Sequence, residues 1–483
     1  MSTAIVWFRR DLRLADHPAL TAAEANHQHV VPVYIHAPEE ETPWAPGGAS
    51  RWWLHHSLAA LQGSLATLGL PLVIRHGESL AALRTLAEET GASAVYWSRL
   101  YEPKVIARDA HIKAALREDG LVAESSNAAL LFEPWQTQTG NGDPYRVFTP
   151  FWKNCAARLD LQPAPLPVPA KLRAPAKKFA SVDLAALELL PKIPWAGGLA
   201  EHWTPGEAGA MDRLEAFLDG PVPSYNEDRN RPDLDATSRL SPHLHFGEIS
   251  PRQALTATRA AVLRGGRAGL SGGAEHFLRE IGWREFNHHL LYHYPHTTDA
   301  PLDRRFAELV WRTDAKLLAA WQRGRTGYPI VDAGMRELWH TGYMHNRVRM
   351  VAASLLVKNL GQSWLEGARW FWDTLVDADL PNNSAGWQWT AGCGADAAPY
   401  YRIFNPVLQT ERFDPHRRYL RRWLPEIAAL PDAWIHKPWE APPEVWSAAG
   451  LTPGKEYPIP AVEFRASRDA ALQAYETVKA AER

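Results

Sequence analysis

Four short apolar, β-branched runs open the chain, at Ala4–Phe8, His29–Ile35, Pro71–Arg75 and Ala94–Trp97. Between them, apolar residues recur every three or four positions around Ala15–Ala25, Arg51–Leu68, Leu80–Glu89 and Val105–Arg117. The first pattern reads as strands and the second as helices, so the alternation predicts a parallel sheet wrapped by helices in a Rossmann-like α/β domain. Ligands of such sheets sit beyond the carboxyl ends of the strands. No G-x-G-x-x-G follows the first run, which leaves a dinucleotide in the usual place unsupported.

From about Leu161 to Pro205 the pattern dissolves. The segment QPAPLPVPAKLRAPAKK is Pro-rich, basic and aperiodic, and Pro favours extended backbone, so it reads as a connector laid over the surface. Beyond Gly206 the strand signals vanish. Ile330–Trp339, Arg347–Leu360, Trp364–Leu375 and the closing Ser467–Ala481 carry helical periodicity, which predicts an all-α second domain. The expected division is an α/β domain over residues 1–132, a connector over 133–205 and a helical domain over 206–483.

Composition changes this picture little. A length of 483 residues exceeds one ordinary core and suits two domains. With 46% hydrophobic and 22% charged residues the chain is globular, and its apolar runs fall short of a membrane span. The opening MSTAIVWFRRDLRL places its arginines after the apolar run, unlike a signal peptide, so a cytoplasmic protein is expected. Only Cys155 and Cys393 are present, too few for a disulfide framework or a cysteine metal site. A net charge of −2 gives no global attraction to nucleic acid, so any DNA binding requires a local patch. The 22 Trp are the oddity, and interior packing accounts for most of them.

Candidate chemistry concentrates in four places. Asp377–Asn405 (DADLPNNSAGWQWTAGCGADAAPYYRIFN) sets out two carboxylates, an Asn pair, two Trp flanking a Gln, and small residues that admit a flat ligand, the pattern of a redox-cofactor site. Thr237-Ser238-Arg239-Leu240-Ser241, with Tyr225 upstream, offers hydroxyls and an arginine at a helix start, which suits a phosphate; an ordinary Ser/Thr cap explains the same residues. Glu280, Trp283 and Arg284 share one helical face, where an indole beside a carboxylate can stack a base and accept from its N–H edge; a Glu–Arg surface pair is the plain alternative. In MHNRVRM, Asn346 offers donor and acceptor together, while Arg347 and Arg349 point to different sides of a helix.

Taken in order, TSRLSP, WREF, GYPIVDAGMREL, MHNRVRM, DADLPNNSAGWQW and RIFNP closely resemble the photolyase/cryptochrome family, specifically class I-like cyclobutane pyrimidine dimer photolyases. VWFRRDLRLADHPAL and FTPFWKN resemble its N-terminal signatures, so the likeness covers almost the whole chain. The resemblance implies an α/β antenna domain and a helical domain holding FAD, whose reduced form, excited by blue light, gives an electron to a pyrimidine dimer in UV-damaged DNA. The lesion leaves the base stack first; photolyases are a standard example of base flipping. The expected protein is a monomer with no membrane association.

By the same resemblance Tyr225 and Thr237, Ser238, Arg239, Leu240 and Ser241 hold the FAD phosphates and ribityl chain. Arg349 pairs with Asp377 near the flavin, Asp379 accepts from its ring, and Asn383 faces N5. Glu280, Trp283, Asn346, Met350 and Trp389 line the lesion pocket. Trp387, Trp364 and Trp311 relay electrons between flavin and surface. Arg229, Arg284, Arg347 and Gln409, together with Trp283 and Asn346, contact DNA.

The second chromophore departs from the pattern. Where folate-binding relatives carry Asn-Glu after the Tyr-Glu, Tyr101-Glu102 is here followed by Pro103-Lys104-Val105. The Arg51-Trp52-Trp53-Leu54-His55-His56 helix either lines a different antenna site or simply packs on the sheet. Methenyltetrahydrofolate at a non-standard site, a deazaflavin and no antenna all remain open. Ser384-Ala385 stands where some relatives carry Asn-Gly, which leaves Asn383 in place. The rivals are a cryptochrome-type light sensor, which often carries a long extension where this chain runs only from Asn405 to Arg483, a (6-4) photolyase, which places extra histidines at the lesion, and a plain flavin redox protein.

Overall fold

The computed structural model describes residues 2–264, 272–397 and 401–480. Ala398–Tyr400, within the cofactor-site stretch, and Ala481, the end of the expected last helix, lie outside them. By compactness the chain forms two units. One comprises Met1–Pro223, Ser238–Pro295 and Val376–Pro381; the other comprises Ser224–Thr237, His296–Leu375 and Asn382–Arg483.

The first unit is built on five parallel strands, β1 (Thr3–Phe8), β2 (His29–His36), β3 (Val73–His76), β4 (Ala92–Ser98) and β5 (Val122–Ser126), in the order β3-β2-β1-β4-β5. Helices α1 (Pro18–Asn26), α2 (Gly48–Thr67), α3 (Ser79–Thr90) and α4 (Pro103–Glu118) make the crossovers. The central strand β1 is buried along its whole length, which is why TAIVWF shows no polar alternation. In its register Trp7 lies beside Val33 and Trp97, and these join Leu83, Leu86 and Leu116 in one apolar cluster. The fifth strand was not expected. VAESS is a short edge strand in which Val122 is exposed and only Ala123 buried, so it carries too few apolar residues for a recognisable period.

The order reverses between β1 and β4, the switch point where ligands of such sheets bind. Charge already fills part of that crevice: Arg9 meets Asp109 at 2.7 Å and Arg10 meets Glu102 at 2.5 Å. The connector is pinned rather than loose, through Asp16 N–H to Leu166 O, Val30 N–H to Arg173 O and Val182 N–H to Ile74 O. The same unit contains α5 (Phe148–Ala156) and α6 (Gly272–His293). Gly282 of α6 is required there: a Cβ on it would lie 2.3 Å from the Trp152 ring.

The second unit is helical. It contains α7 (Pro329–Thr341), α8 (Asn346–Ser354), which runs into a π-helical turn at Leu355–Asn359, α9 (Trp364–Thr374), α11 (Pro406–Phe413) and α12 (Phe464–Ala480). A further helix, α10 (Leu380–Ala391), begins in the Val376–Pro381 segment of the first unit and continues through Asn382 into the second. Buried Asp332 anchors the start of α7 by accepting from Thr326 N–H and O–H, Gly327 N–H and Tyr457 O–H, so its charge is fully hydrogen-bonded. Both cysteines are free and buried. No described helix is long and apolar enough to cross a membrane.

Candidate active site

A first cluster of candidate residues, mostly polar, lies on the first unit. Arg239 adopts left-handed backbone at φ 51°, and Ser241 follows it at the start of a short helix, Ser241–His245. Ser238 Oγ accepts from Leu240 N–H, and Ser241 O–H donates to Asp377 Oδ2 at 2.7 Å. Asp379 is buried; His245 Nδ1 lies 3.2 Å from its Oδ2 and His288 Nε2 lies 3.9 Å from the same oxygen. Burial alone would push the Asp379 carboxyl up. His288, His245 and Arg284 outweigh it and hold the group well below the usual carboxylate range, so it stays an ionised acceptor.

Helix α6 carries the next set. Trp283 is half-buried and stacks on Phe148 at 3.6 Å between centroids and 8° between planes, with Phe148 itself buried. The indole is thus backed by an aromatic floor. Glu280, three residues earlier, is half-buried on the same helix. Arg284 differs from expectation. Its guanidinium donates to Ala129 O at 2.6 Å and its side chain is only 11% exposed, so it is directed into the unit as a structural donor and not toward DNA. Glu285 accepts from Leu131 and Phe132 N–H at 3.0 Å, and burial pushes its carboxyl up to about 7.

A separate cluster, mostly aromatic, lies on the second unit. Asn383 Nδ2 donates to Ala368 O at 3.0 Å, which fixes the orientation of the amide. Trp387 and Trp364 are each 3% exposed, whereas Trp311 is half-buried, a gradation from interior to surface. Trp387 meets Phe371 at 4.9 Å and Trp321 at 6.1 Å, and a Cβ on Gly367 would lie 2.0 Å from its ring. Trp389 is half-buried, stacked on Phe404 at 6.4 Å, with Arg402 over its ring at 5.6 Å. Both indoles stand on α10, where positions two apart diverge by about 200°.

Helix α8 presents the remaining residues. His345 caps it by accepting from Arg347 N–H at 3.2 Å, so this histidine has a structural role at the start of the helix. Asn346 is exposed in the first turn and Met350 half-buried one turn on. Arg347 Nη2 donates to Asn230 Oδ1 at 2.6 Å, and Arg349 Nε donates to Met344 O at 2.6 Å. Tyr225 is buried with Arg229 over its ring at 5.7 Å, and Gln409 is half-buried on α11.

Sequence reasoning did not single out His245, His288, Phe148, Trp321 or Arg402. Trp321 is fully buried and Phe148 nearly so, and nothing in a lone aromatic separates floor from core. On the antenna side, Trp53 is buried; its indole N–H donates to Glu248 Oε1 at 2.9 Å and it stacks on Phe246, so it serves the core. Tyr101 O–H donates to Glu133 Oε2 at 2.7 Å.

Residues 4–170 match the DNA photolyase family model, and residues 277–477 match the model for the FAD binding domain of DNA photolyase. The chain is 48% identical to the deoxyribodipyrimidine photo-lyase of Agrobacterium fabrum across 98% of both proteins. It is 40% identical to Cryptochrome-1 of Arabidopsis thaliana, over 95% of this chain and 68% of that one. The crystal structure of a bacterial class III photolyase from Agrobacterium tumefaciens superimposes with a TM-score of 0.95 at 48% identity, covering 99% of this chain and 98% of that one. The chain belongs to the photolyase/cryptochrome family and carries its FAD-binding domain. The donor set fits that cofactor: hydroxyls of Thr237, Ser238 and Ser241 beside Arg239 suit a diphosphate, and an ionised buried Asp379 suits a ring N–H.

Proposed function

We propose that this protein is a deoxyribodipyrimidine photo-lyase, a carbon–carbon lyase that repairs cyclobutane pyrimidine dimers in DNA under blue light. The carrying observation is that Trp283 and Trp389 are half-buried indoles, each backed by an aromatic ring, Phe148 and Phe404 respectively. Tryptophan presented in this way is a wall for a flat, unstacked ligand. On this reading Trp283, Trp389 and Met350 pack against a flipped dimer, Asn346 bonds its pyrimidine edge, and Glu280 accepts from its N–H groups. A damaged base costs least to extrude, which adds selectivity.

FAD, when bound, supplies the photoexcited electron that opens the dimer. Tyr225 and Thr237 through Ser241 hold its phosphates and ribityl chain, Arg349 and Asp377 flank it, Asp379 accepts from a ring N–H, and Asn383 Oδ1 accepts from N5–H. Trp387, Trp364 and Trp311 return electrons from the surface. Arg229, Arg347 and Gln409 position the DNA backbone in a salt-sensitive, sequence-independent way. The protein works as a cytoplasmic monomer, with methenyltetrahydrofolate or a deazaflavin as the candidate second chromophore. The similarity to a class III structure marks a subdivision that the sequence motifs did not separate from class I.

The test is direct. Purified, photoreduced protein illuminated with blue light restores dimer-containing oligonucleotides; if the dimers persist, the light-sensor function leads instead. Glu280→Ala slows repair more than it weakens flavin retention.

A further inference from the structure

Trp283 and its backing ring Phe148 belong to the proposed lesion pocket; Trp152, one turn beyond Phe148 on α5, has no part in it. Within the first unit, α5 and α6 lay these three rings nearly parallel. Trp283 is tilted 8° from the Phe148 plane at 3.6 Å between centroids, and Trp152 is tilted 6° from that plane at 6.4 Å. Phe286 meets Phe148 edge-on at 5.8 Å and Trp283 at 6.0 Å, bracing the layers from the side. Gly282 makes the arrangement possible. A Cβ there would lie 2.3 Å from the Trp152 ring, so only bare backbone, in the position next to Trp283, lets that indole settle on α6. Phe148 precedes Trp152 by four residues on one helix, so a seated Trp152 fixes where the Phe148 ring stands. Among the described residues the indole of Trp283 has ring contacts only, with no hydrogen bond to set its plane. The outer torsion of a tryptophan side chain is broad, so the stack is what holds it.

We propose that Trp152 is a positioning residue for substrate discrimination: seated on Gly282, it holds Phe148 under Trp283 and so fixes the plane that Trp283 offers to an extruded pyrimidine dimer. This role rests on the lesion-pocket part of the proposed function. Two pyrimidines joined covalently form a bent, rigid body, unlike the flat bases of intact DNA. Such a body gains from a wall set in advance, because little torsional freedom is then lost on binding. An indole free to turn would stack on any base, since every base has a π-face. Trp152 therefore acts on the difference between damaged and undamaged DNA, while contacts to backbone phosphates hold both alike.

The experiment measures equilibrium binding of the flavin-loaded protein to a dimer-containing duplex and to its undamaged twin. Trp152→Leu keeps an apolar side chain but removes the flat layer. It weakens dimer binding by about three- to tenfold, the worth of one aromatic pair, and leaves undamaged binding unchanged. Trp152→Phe, still flat, restores most of the loss. In a Trp283→Ala background Trp152→Leu costs nothing further, the coupling of a residue that acts only through Trp283. A purely structural side chain would lower both affinities together and add its loss to that of Trp283→Ala. Flavin absorbance and circular dichroism establish that each variant is folded, and Trp152→Met, a flexible gap-filler, carries the same comparison if Trp152→Leu does not fold. Unchanged dimer binding in the folded variant, equal losses for the two duplexes, or a loss undiminished without Trp283 overturns the positioning role and leaves repair standing. Trp283→Ala with undiminished dimer binding overturns the lesion-pocket reading itself, and the role of Trp152 with it.

Discussion

The surroundings of Asp379 and of Trp387 solve opposite problems. Around Asp379 two histidines and an arginine keep a buried carboxylate charged, because a lone ion in that setting would neutralise. Around Trp387 stand the rings of Phe371 and Trp321, and Gly367 lets the indole in. The first region controls a charge and the second a path through π systems. The difference teaches that conserving geometry means different things in each: hydrogen-bond direction in one, ring contact in the other.

The comparison breaks most visibly at the charge. Asp379→Ala should abolish flavin retention, a loss of more than about a hundredfold in affinity if one charge-assisted acceptor and its buried cationic surroundings are both disturbed; the flavin absorbance of the purified protein reads it, and full occupancy would refute the role of Asp379. Trp387→Phe should slow photoreduction of oxidised flavin by more than about tenfold while leaving the flavin bound, since the ring contact survives but the readily oxidised indole does not. Steady illumination with an external donor measures this, and wild-type kinetics would remove Trp387 from the relay.

Glu285 sharpens the contrast, being a buried carboxyl that, unlike Asp379, is pushed up, to about 7. Its folded pKa exceeds its unfolded value, so its favourable contribution is complete below the unfolded pKa and is lost as pH rises toward about 7. Glu285→Gln, which still accepts from Leu131 and Phe132 N–H through one oxygen, should remove a fall of on the order of 3 kcal/mol between about pH 4.5 and 7. Denaturant titrations at pH 5 and pH 8 compare the two; equal pH dependence would show that Glu285 does not titrate there. The smallest effect is steric. Gly367→Ala should cost about 2 kcal/mol, the overpacking of Trp387 partly offset by better helix propensity, read as a lower unfolding midpoint.

How much of this was legible depends on whether the signal was local. Strands β1 to β4 and helices α7 to α9 follow from periodicity because each buries a face that the chain itself encodes. Edge strand β5 buries almost nothing, so no pattern announces it. The motif order carried the family, since six short signatures in sequence are specific where each alone is ambiguous. Arg284 shows the limit. Beside Glu280 and Trp283 on one helical face it looked like a DNA contact, yet folding brings Ala129 O, from a loop far off in the chain, to within 2.6 Å.

The residue types at the site are therefore written in the chain: the carboxylates of DADLPNN, the indoles of WQW and the arginines of MHNRVRM are chemical identities that no packing can change. Their assignments are not. Whether a carboxyl is held charged like Asp379 or raised like Glu285, and whether an arginine serves a backbone carbonyl like Arg284 or a side-chain amide like Arg347, depends on groups that approach from distant segments. Desolvation and hydrogen bonding act over a few ångströms of space, not along the sequence, so only the folded arrangement sets them.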